Sequence, residues 1–440
     1  MSLNLHGKCK ERLTDVTAKK LQSVRVDNRF FLIRKTLIPL IVAEGILPDK
    51  GATIQNLSDF LSESPFLDFT YETLSRELRE NQQFDSRSFN LELTKIDGYE
   101  ETTAVARRLV ESFDSLPWRY TLTIKFADEL SKIVAHLVGD IQLSDSLRII
   151  TPTEDFQQSF PLRSGSEKID RSLWGVTGSS FGIGKSELNE WDVESAYLQM
   201  ELDGFVGHYS ITATMERAIS TLKAFCGIGI ALRLFKVDYK YRAIPPKTNF
   251  FVHQKLNDSW RILDTHDLDT GISDTFNDLI LHDLNGWINT EERQTSWLKS
   301  TIESMQKTFS NYNRSEKIIL AAQWLYDSYV GKNELLSFVQ TIVALEILLG
   351  EKSISDLMGL GELLRNRCAY LIGKSQKQRD EILCEFKQIY DIRSKIVHRG
   401  KSRLTSNERV LFHKLQWMCR RVIQEEIELM QDTLFDAKRY

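Results

Sequence analysis

Arg393 and His398 lie five residues apart near the end of a predicted helix, and together they could cleave a phosphodiester. The helical pattern runs over about residues 379–397, and Gly400 suits the left-handed conformation that commonly ends a helix. Arg393 falls within the apolar stripe of this helix, so its guanidinium should face a core or a cleft where an anion meets it. His398 lies about 140° away around the helix, where the negative end of the helix dipole favours a protonated imidazole. A fixed cation near a titratable imidazole can hold a phosphate and move a proton.

The helix that carries this pair is one of several predicted after residue 301. Its apolar stripe comprises Ile382, Phe386, Ile389, Ile396 and Val397. Further helices are predicted at 315–329, 333–349 and 356–372, and a long final helix is predicted to be capped by Ser406. Helices joined by such short loops form bundles. We therefore predict a helical bundle over residues 301–440.

Residues 1–300 show a mixed pattern, so the predicted fold class is α+β, a mixed α/β region followed by an all-α bundle. Strands are predicted at 89–96, 118–126, 147–151, 197–202, 249–255 and 260–264. Helices are predicted at 101–113, 128–138 and 215–234. A stretch rich in Ser and Gly, 159–186, is the best candidate for an internal linker or mobile loop. The chain is expected to enter the bundle over 285–300.

Length and composition indicate a protein of two or three globular domains. The chain has 440 residues, of which 42% are hydrophobic and 27% charged, enough to form sizeable cores. The apolar runs are too short to predict a membrane span, and the first residues lack the apolar core of a signal peptide. Five cysteines in no metal-binding pattern argue against a disulfide framework. We therefore expect a cytoplasmic protein.

Charge is distributed unevenly along the chain. Residues 301–440 hold 22 Lys or Arg and 18 Asp or Glu, whereas residues 1–300 hold 35 and 43. Nine basic residues cluster within 374–403 against four acidic ones: Lys374, Lys377, Arg379, Lys387, Arg393, Lys395, Arg399, Lys401 and Arg403. Such a cluster is either a site for a polyanion or a solvated helix face. The acidic remainder argues against non-specific coating of nucleic acid.

Three ordered segments resemble HEPN domains, in particular the Apea-like branch of that family. The sequence ALEIL at 344–348 resembles the "ALE-L" segment of that branch, and RCAYLIG at 367–373 resembles its "R-x-A-x-L-x-G" helix end. YDIRSKIVH at 390–398 resembles its "Y-x-x-R-S-x-I-V-H" motif, which contains Arg393 and His398. The resemblance covers about residues 305–435, under a third of the chain.

The resemblance implies a metal-independent endoribonuclease that needs no cofactor. In the family, two protomers bring their motif helices together, so a homodimer is expected to place two arginines and two histidines around one cleft. The ribose 2′-hydroxyl attacks the neighbouring phosphate and leaves a cyclic phosphate and a free 5′-hydroxyl. His398 would be the general acid or base, and Arg393 would hold the phosphate. RNA is thus the expected substrate and DNA should survive.

Further residues are expected to support this pair. Glu346, within an almost wholly apolar helix, is expected to pair with Arg367 or Arg393, either to orient the motif helix or merely to specify packing. Ser394 lies one turn before His398 and could hydrogen-bond to the imidazole or to substrate. General phosphate contacts are assigned to four basic residues: Lys395, Arg399, Lys401 and Arg403.

Architectures of this kind resemble toxins or effectors of prokaryotic antiphage defence and abortive infection. Their nuclease acts when another region senses a trigger, so residues 1–300 are expected to regulate the bundle; the trigger or partner is unknown. The alternative is a non-catalytic HEPN module that dimerises or binds RNA without cleaving it. Intact Arg393 and His398 argue against that alternative.

Two other segments could carry different chemistry. Gly178–Ser186 resembles a phosphate-binding P-loop, but five residues rather than four separate Gly178 from Gly184-Lys185-Ser186. We therefore favour a mobile loop, although a nucleotide switch dependent on Lys185 stays open. Asp264–Asp269 groups several oxygen and nitrogen ligands, yet no distant partner cluster accompanies it. Such hexamers commonly form turns, so no metal site is assigned.

Overall fold

The computed structural model describes residues 3–27, 32–47, 61, 64–80, 90–135, 140–162, 190–208, 212–243, 246–282, 291–351 and 359–437. Within them the fold is mixed α/β. A six-stranded sheet is formed by strands that lie between residues 118 and 267. Every described element from residue 291 onward is a helix. The predicted combination of a mixed region followed by a helical region is confirmed.

The main sheet has the strand order β4-β5-β6-β3-β8-β9. The strands of the described residues are β1 (Arg25–Val26), β2 (Leu91–Glu92), β3 (Trp118–Lys125), β4 (Ile141–Ser144), β5 (Leu147–Ile150), β6 (Tyr197–Gly204), β7 (Phe235–Val237), β8 (Asn249–Leu256), β9 (Ser259–Asp267) and β10 (Leu279–Leu281). β5 pairs antiparallel with both β4 and β6, and Ile149 lies opposite Ile141 and Leu198. β1 pairs with β2, and β7 pairs with β10.

The helices of the described residues are α1 (Gly7–Leu21), α2 (Arg34–Leu37), α3 (Ile41–Glu44), α4 (Pro65–Glu80), α5 (Thr102–Asp114), α6 (Asp128–Ala135), α7 (Glu154–Ser159), α8 (Ala213–Ala231), α9 (Thr270–Asn277), α10 (Glu291–Ser310), α11 (Tyr312–Asp327), α12 (Glu334–Leu349), α13 (Leu360–Ile372), α14 (Gln376–Arg399) and α15 (Ser406–Ala437). α15 packs against α11, α12, α13 and α14. This packing forms the bundle that the apolar periodicity predicts.

Most predicted elements are confirmed, with one clear exception among the strands. Five predicted strands correspond to β3, β5, β6, β8 and β9, and three predicted N-terminal helices correspond to α5, α6 and α8. The strand predicted at 89–96 is wrong beyond the two residues of β2, because a 3₁₀ turn, Leu93–Lys95, follows at once. Most of the predicted loop at 159–186 and the start of the predicted entry at 285–300 lie outside the described residues.

The chain divides into two compact units. One comprises residues 1–121, 201–218 and 252–264, and its core includes Phe66, Phe69, Phe113 and Phe205, with Phe69 meeting Phe113 and Phe205 at ring-centroid distances of 5.3 and 5.2 Å. The other comprises residues 122–200, 219–251 and 265–440. The helices after residue 301 thus share a unit with earlier segments. A separate domain that begins at residue 301 stays a prediction.

Capping residues define the ends of the bundle helices. Asn333 caps α12 and accepts from the amides of Leu335 and Leu336, and Ser375 caps α14. Gly400 ends α14 with φ of 63°, the left-handed conformation predicted for it. The cap of α15 is Thr405 rather than Ser406. The predicted cap, Ser406, is its first helical residue, whereas Thr405 accepts from the amide of Glu408 and donates its own amide to the Glu408 carboxylate.

The apolar stripe of α14 is correct along most of the helix and wrong at its end. Ile382, Phe386 and Ile389 are buried, and Ile392 extends the buried face. Val397, predicted to belong to the stripe, is 47% exposed. The last turn of α14 therefore reaches beyond the core of its unit.

Among the described residues, no helix has both the length and the apolar character that crossing a bilayer requires.

α8 and α11 approach each other so closely that only glycine fits at one position. A Cβ atom added to Gly227 would lie 1.9 Å from the carbonyl oxygen of Ala322. A backbone carbonyl cannot turn aside as a flexible side chain can, so the whole helix would have to move.

We expect Gly227→Ala to destabilise the protein by about 2 kcal/mol or more, because overpacking against a backbone outweighs the helix propensity of alanine. Urea unfolding followed by circular dichroism measures this. Gly7→Ala is the matched control, since no described atom lies within 4 Å of a Cβ added there. Equal stability of the two variants would contradict the close approach.

Candidate active site

Arg393 lies at the contact between α14 and α12. It follows the buried Ile389 and Ile392, and its side chain is 25% exposed. Its Nη2 atom is 3.6 Å from Oε1 of Glu346, whose side chain is 21% exposed. Of the two arginines that the sequence offers as partners for Glu346, the structure pairs it with Arg393. The guanidinium is thus held at the edge of the bundle core with part of its surface open.

The environment of this ion pair disfavours the charged carboxylate. Burial raises the pKa of Glu346, and the positive charge of Arg393 offsets this only in part. Oε1 of Glu346 and Nε of Arg393 are buried and have no hydrogen-bond partner within the described residues. A separation of 3.6 Å is too long for a direct hydrogen bond. The guanidinium therefore keeps donor capacity that an incoming anion could use.

Tyr390 completes the surroundings of Arg393. The Cζ atom of Arg393 lies 5.7 Å from the centroid of the Tyr390 ring, within the range of a cation–π contact. Burial raises the pKa of the Tyr390 hydroxyl, with Arg393 lowering it and Glu346 raising it. On α13, a Cβ added to Gly361 would lie 2.7 Å from the tyrosine ring, so α13 also confines this side chain. Three helices thus fix the position of one guanidinium.

His398 is placed differently from Arg393. It lies in the last turn of α14 and is exposed, and its side chain has no hydrogen bond or ion pair within the described part of the chain. It points from a helix face about 140° from that of Arg393. Asp391, on the same helix, is also exposed. A single protomer therefore does not bring the imidazole and the guanidinium into contact.

Three of the four basic residues assigned to phosphate contacts are exposed: Lys395, Arg399 and Arg403. Lys401 is the exception, since its Nζ atom lies 3.0 Å from Oε2 of Glu408 and its side chain is 19% exposed. Burial acts to raise the pKa of Glu408, but hydrogen bonds from Thr405 and Lys401 together lower it. Lys401 thus joins the turn after α14 to the start of α15, and its assignment as an RNA contact stays a prediction.

Ser394 and Arg367 are both predicted to support the site. In the structure Ser394 lies next to Arg393, whereas Arg367 has other partners. Ser394 is half-buried beside Arg393 on α14. Arg367 is not the partner of Glu346. Its Nη2 atom lies 2.5 Å from Oε2 of Glu351, and its Nη1 atom donates to the Leu349 carbonyl at 3.0 Å. Arg367 therefore secures the C-terminal end of α12 rather than the motif arginine.

Two other segments, 178–186 and 264–269, could carry nucleotide or metal chemistry according to the sequence. Gly178–Ser186 lies outside the described residues. Asp264–Asp269 does not converge on one point, because Asp264 contacts the Nδ1 atom of His208 and Asp269 caps α9 by accepting from the Gly271 amide. Within the described ranges, no group of three or more His, Cys, Asp or Glu side chains could hold a metal ion.

Tyr390 is the contact of Arg393 that sequence reasoning missed. Tyr390 is the first residue of the YDIRSKIVH segment at 390–398. The available signal was its position three residues before Arg393, which places the two side chains on one helix face.

No protein-family model, curated protein or solved structure matches the chain. The candidate site is therefore defined by its own geometry: a confined guanidinium and an exposed imidazole on one helix.

Glu346→Gln tests how far the folded protein disfavours this carboxylate. Burial raises the pKa of Glu346 in the folded protein. Its contribution to the free energy of unfolding is therefore fully present at a pH below its pKa in the unfolded chain. That contribution is lost as the pH rises through its pKa in the folded protein. We therefore expect the stability of the variant relative to wild type to rise between about pH 4 and pH 7, by about 1 kcal/mol or less.

Urea unfolding at the two pH values measures this difference. Glu334→Gln is the matched control, because Glu334 is an exposed glutamate of the same helix, paired with Arg409. A relative stability of Glu346→Gln that falls with rising pH would refute the inferred environment.

Proposed function

We propose that the helical region after residue 301 is a HEPN-like endoribonuclease in which Arg393 and His398 act on the RNA backbone. The observation that supports this best is the confinement of Arg393. Its guanidinium is held by Glu346, by the Tyr390 ring and by three packed helices, yet a quarter of the side chain is open. The 3.6 Å separation from the Glu346 carboxylate leaves this guanidinium without a direct hydrogen bond to its ionic partner.

The proposed reaction is an internal transfer of the phosphodiester. The ribose 2′-hydroxyl loses its proton to a base and its oxygen bonds to the adjacent phosphorus. The bond from phosphorus to the 5′ oxygen then breaks, and that oxygen takes a proton, which leaves a 2′,3′-cyclic phosphate and a 5′-hydroxyl. His398 acts in proton transfer, since its exposed imidazole carries nitrogens that can accept or donate a proton. Arg393 holds the non-bridging oxygens and stabilises their charge.

The active form is proposed to be a homodimer. On one helix Arg393 and His398 point about 140° apart, so one protomer offers the phosphate only one of the two groups at a time. A second α14 packed across a two-fold axis would supply the missing group from its partner. The exposed Val397 between them supplies apolar surface for such a contact. Lys395, Arg399 and Arg403 would follow the RNA backbone on either side.

The cellular role that fits this reaction is a toxin or effector of prokaryotic antiphage defence, regulated by residues 1–300. An RNase without restraint damages its own cell, and the acidic preceding region could compete with RNA for basic residues of the bundle. The competing function is a module that binds RNA through Lys395, Arg399 and Arg403 without cleaving it. That alternative is favoured by the lack of contact between His398 and Arg393 in one protomer.

Single substitutions distinguish cleavage from binding. We expect Arg393→Ala and His398→Ala each to lower RNA cleavage by about 100-fold or more, because each removes a group that acts in the transition state. Cleavage of a fluorescent RNA in the presence of a chelator measures this, with the corresponding DNA as a substrate control.

The matched controls are His413→Ala and Arg409→Gln, an exposed histidine and an exposed arginine on α15. Equal cleavage by all five proteins would reject the catalytic assignment. Binding of RNA by a wild-type protein that cleaves none would favour the binding module.

Mixing the two inactive variants tests the shared site. A dimer of Arg393→Ala with His398→Ala still contains one wild-type arginine and one wild-type histidine on opposite protomers. We therefore expect the mixture to recover part of the cleavage that neither variant shows alone, as partners exchange. Light scattering establishes that dimers form in the mixture. Mixed dimers without recovered cleavage would contradict a site built from two protomers.

A further inference from the structure

A cavity of about 180 Å³ lies in the unit that contains the bundle, at the end of α8 and along α15. At about 30 Å³ for each water molecule, it has room for roughly six waters. Its polar and aromatic lining consists of Arg233, His282, Trp417, Arg420, Arg421 and Gln424. The cavity is thus larger than a packing defect and is lined by cationic groups.

The lining residues of α15 form one face of that helix. Trp417, Arg420, Arg421 and Gln424 are spaced at three, four and seven residues from the first, so their side chains project from the same side. Arg233 reaches the cavity from the turn after α8, where its backbone has φ of 63°. A non-glycine residue in that conformation is uncommon, and the surrounding structure holds it there.

The guanidinium groups of Arg233, Arg420 and Arg421 lie close enough for their positive charges to repel one another. Burial lowers the pKa of Arg233, and the charges of Arg421 and Arg420 lower it further. Arg421 has its own partners, the carboxylate of Glu425 and the side-chain oxygen of Gln424. Mutual repulsion in a cavity is relieved when an anion binds between the cations.

Arg420, which lines the cavity, has hydrogen-bonding capacity that the described residues do not use. Its Nε atom is buried and has no hydrogen-bond partner among the described residues. Burial raises the pKa of the Tyr329 hydroxyl, and the nearby charge of Arg420 lowers it. A buried N–H group of a charged side chain that bonds to nothing is unfavourable, so the described contacts of Arg420 do not fully satisfy its guanidinium.

We propose that this cavity binds the phosphate group of a small phosphorylated molecule. A phosphate offers several oxygens and up to two charges, which matches the donors of clustered guanidiniums better than a single carboxylate does. The Trp417 indole and His282 imidazole on the wall supply flat surfaces for an organic part of the ligand.

The site is separate from the residues of the proposed nuclease. Glu408 lies beside the end of α14, where it contacts Lys401. Arg420 lies 12 residues after Glu408 along α15. That separation is about 18 Å at 1.5 Å per residue. The ligand would therefore occupy a second, regulatory or structural site, joining the end of α8 to α15.

Calorimetric titration of the full chain with inorganic phosphate, pyrophosphate and adenosine monophosphate tests the proposal. We expect at least one of them to bind with a Kd below about 1 mM and to raise the melting temperature by about 2 °C at saturation. Tighter binding of the nucleotide than of both inorganic ions assigns the organic phosphate as ligand class. Tighter binding of an inorganic ion assigns the phosphate group alone.

Arg420→Gln and Arg233→Asn should each weaken binding by about 10-fold or more, because each removes one charge-assisted contact. Asparagine tolerates the left-handed backbone at 233, so this variant keeps the proposal testable should Arg420→Gln fail to fold. Arg409→Gln, which removes an exposed arginine of the same helix, should bind as wild type does. Wild-type binding of none of the three probes, or unchanged binding by Arg420→Gln and Arg233→Asn, overturns the proposal.

Discussion

The ion pair between Arg393 and Glu346 is the interaction on which the proposed chemistry depends. A guanidinium and a carboxylate at the edge of an apolar core both lose solvation, and their attraction repays this only with good geometry. Here the geometry is incomplete: the atoms stand 3.6 Å apart, and burial raises the pKa of the carboxyl despite the adjacent cation. The pair therefore holds Arg393 in position without fully satisfying it. That incomplete satisfaction leaves the guanidinium with donor capacity, which the proposed reaction would use to hold a phosphate.

Local signals in the sequence were enough to predict most elements. The helix predicted at 333–349 matches α12 within one residue, and Gly400 marked the end of α14, because helix ends depend on the residue itself and its near neighbours. The exposure of Val397 was not predictable in this way, since it depends on how far the neighbouring helices extend. The cap of α15 was misplaced by one residue because Thr405 and Ser406 are both good capping residues. Periodicity also does not specify the strand order of the sheet.

Part of the candidate site was predictable from the sequence, because it depends on the local geometry of one helix. Helical spacing placed Arg393 in the apolar stripe and His398 on another face, and both follow from one helix. The choice of Arg393 over Arg367 as the partner of Glu346 required the packing of three helices. The cavity around Arg420 was missed entirely. Arg233, His282 and Arg420 are distant in sequence, and only the tertiary fold brings them together.

The divergence of Arg393 and His398 around one helix has a consequence for how the proposed enzyme would behave in a cell. Newly made chains, while still scarce, would each hold half of a working centre and would be harmless. Activity per molecule would then climb with abundance, once copies meet faster than they part. The geometry of a single helix would thus set an expression threshold, below which the proposed nuclease stays latent.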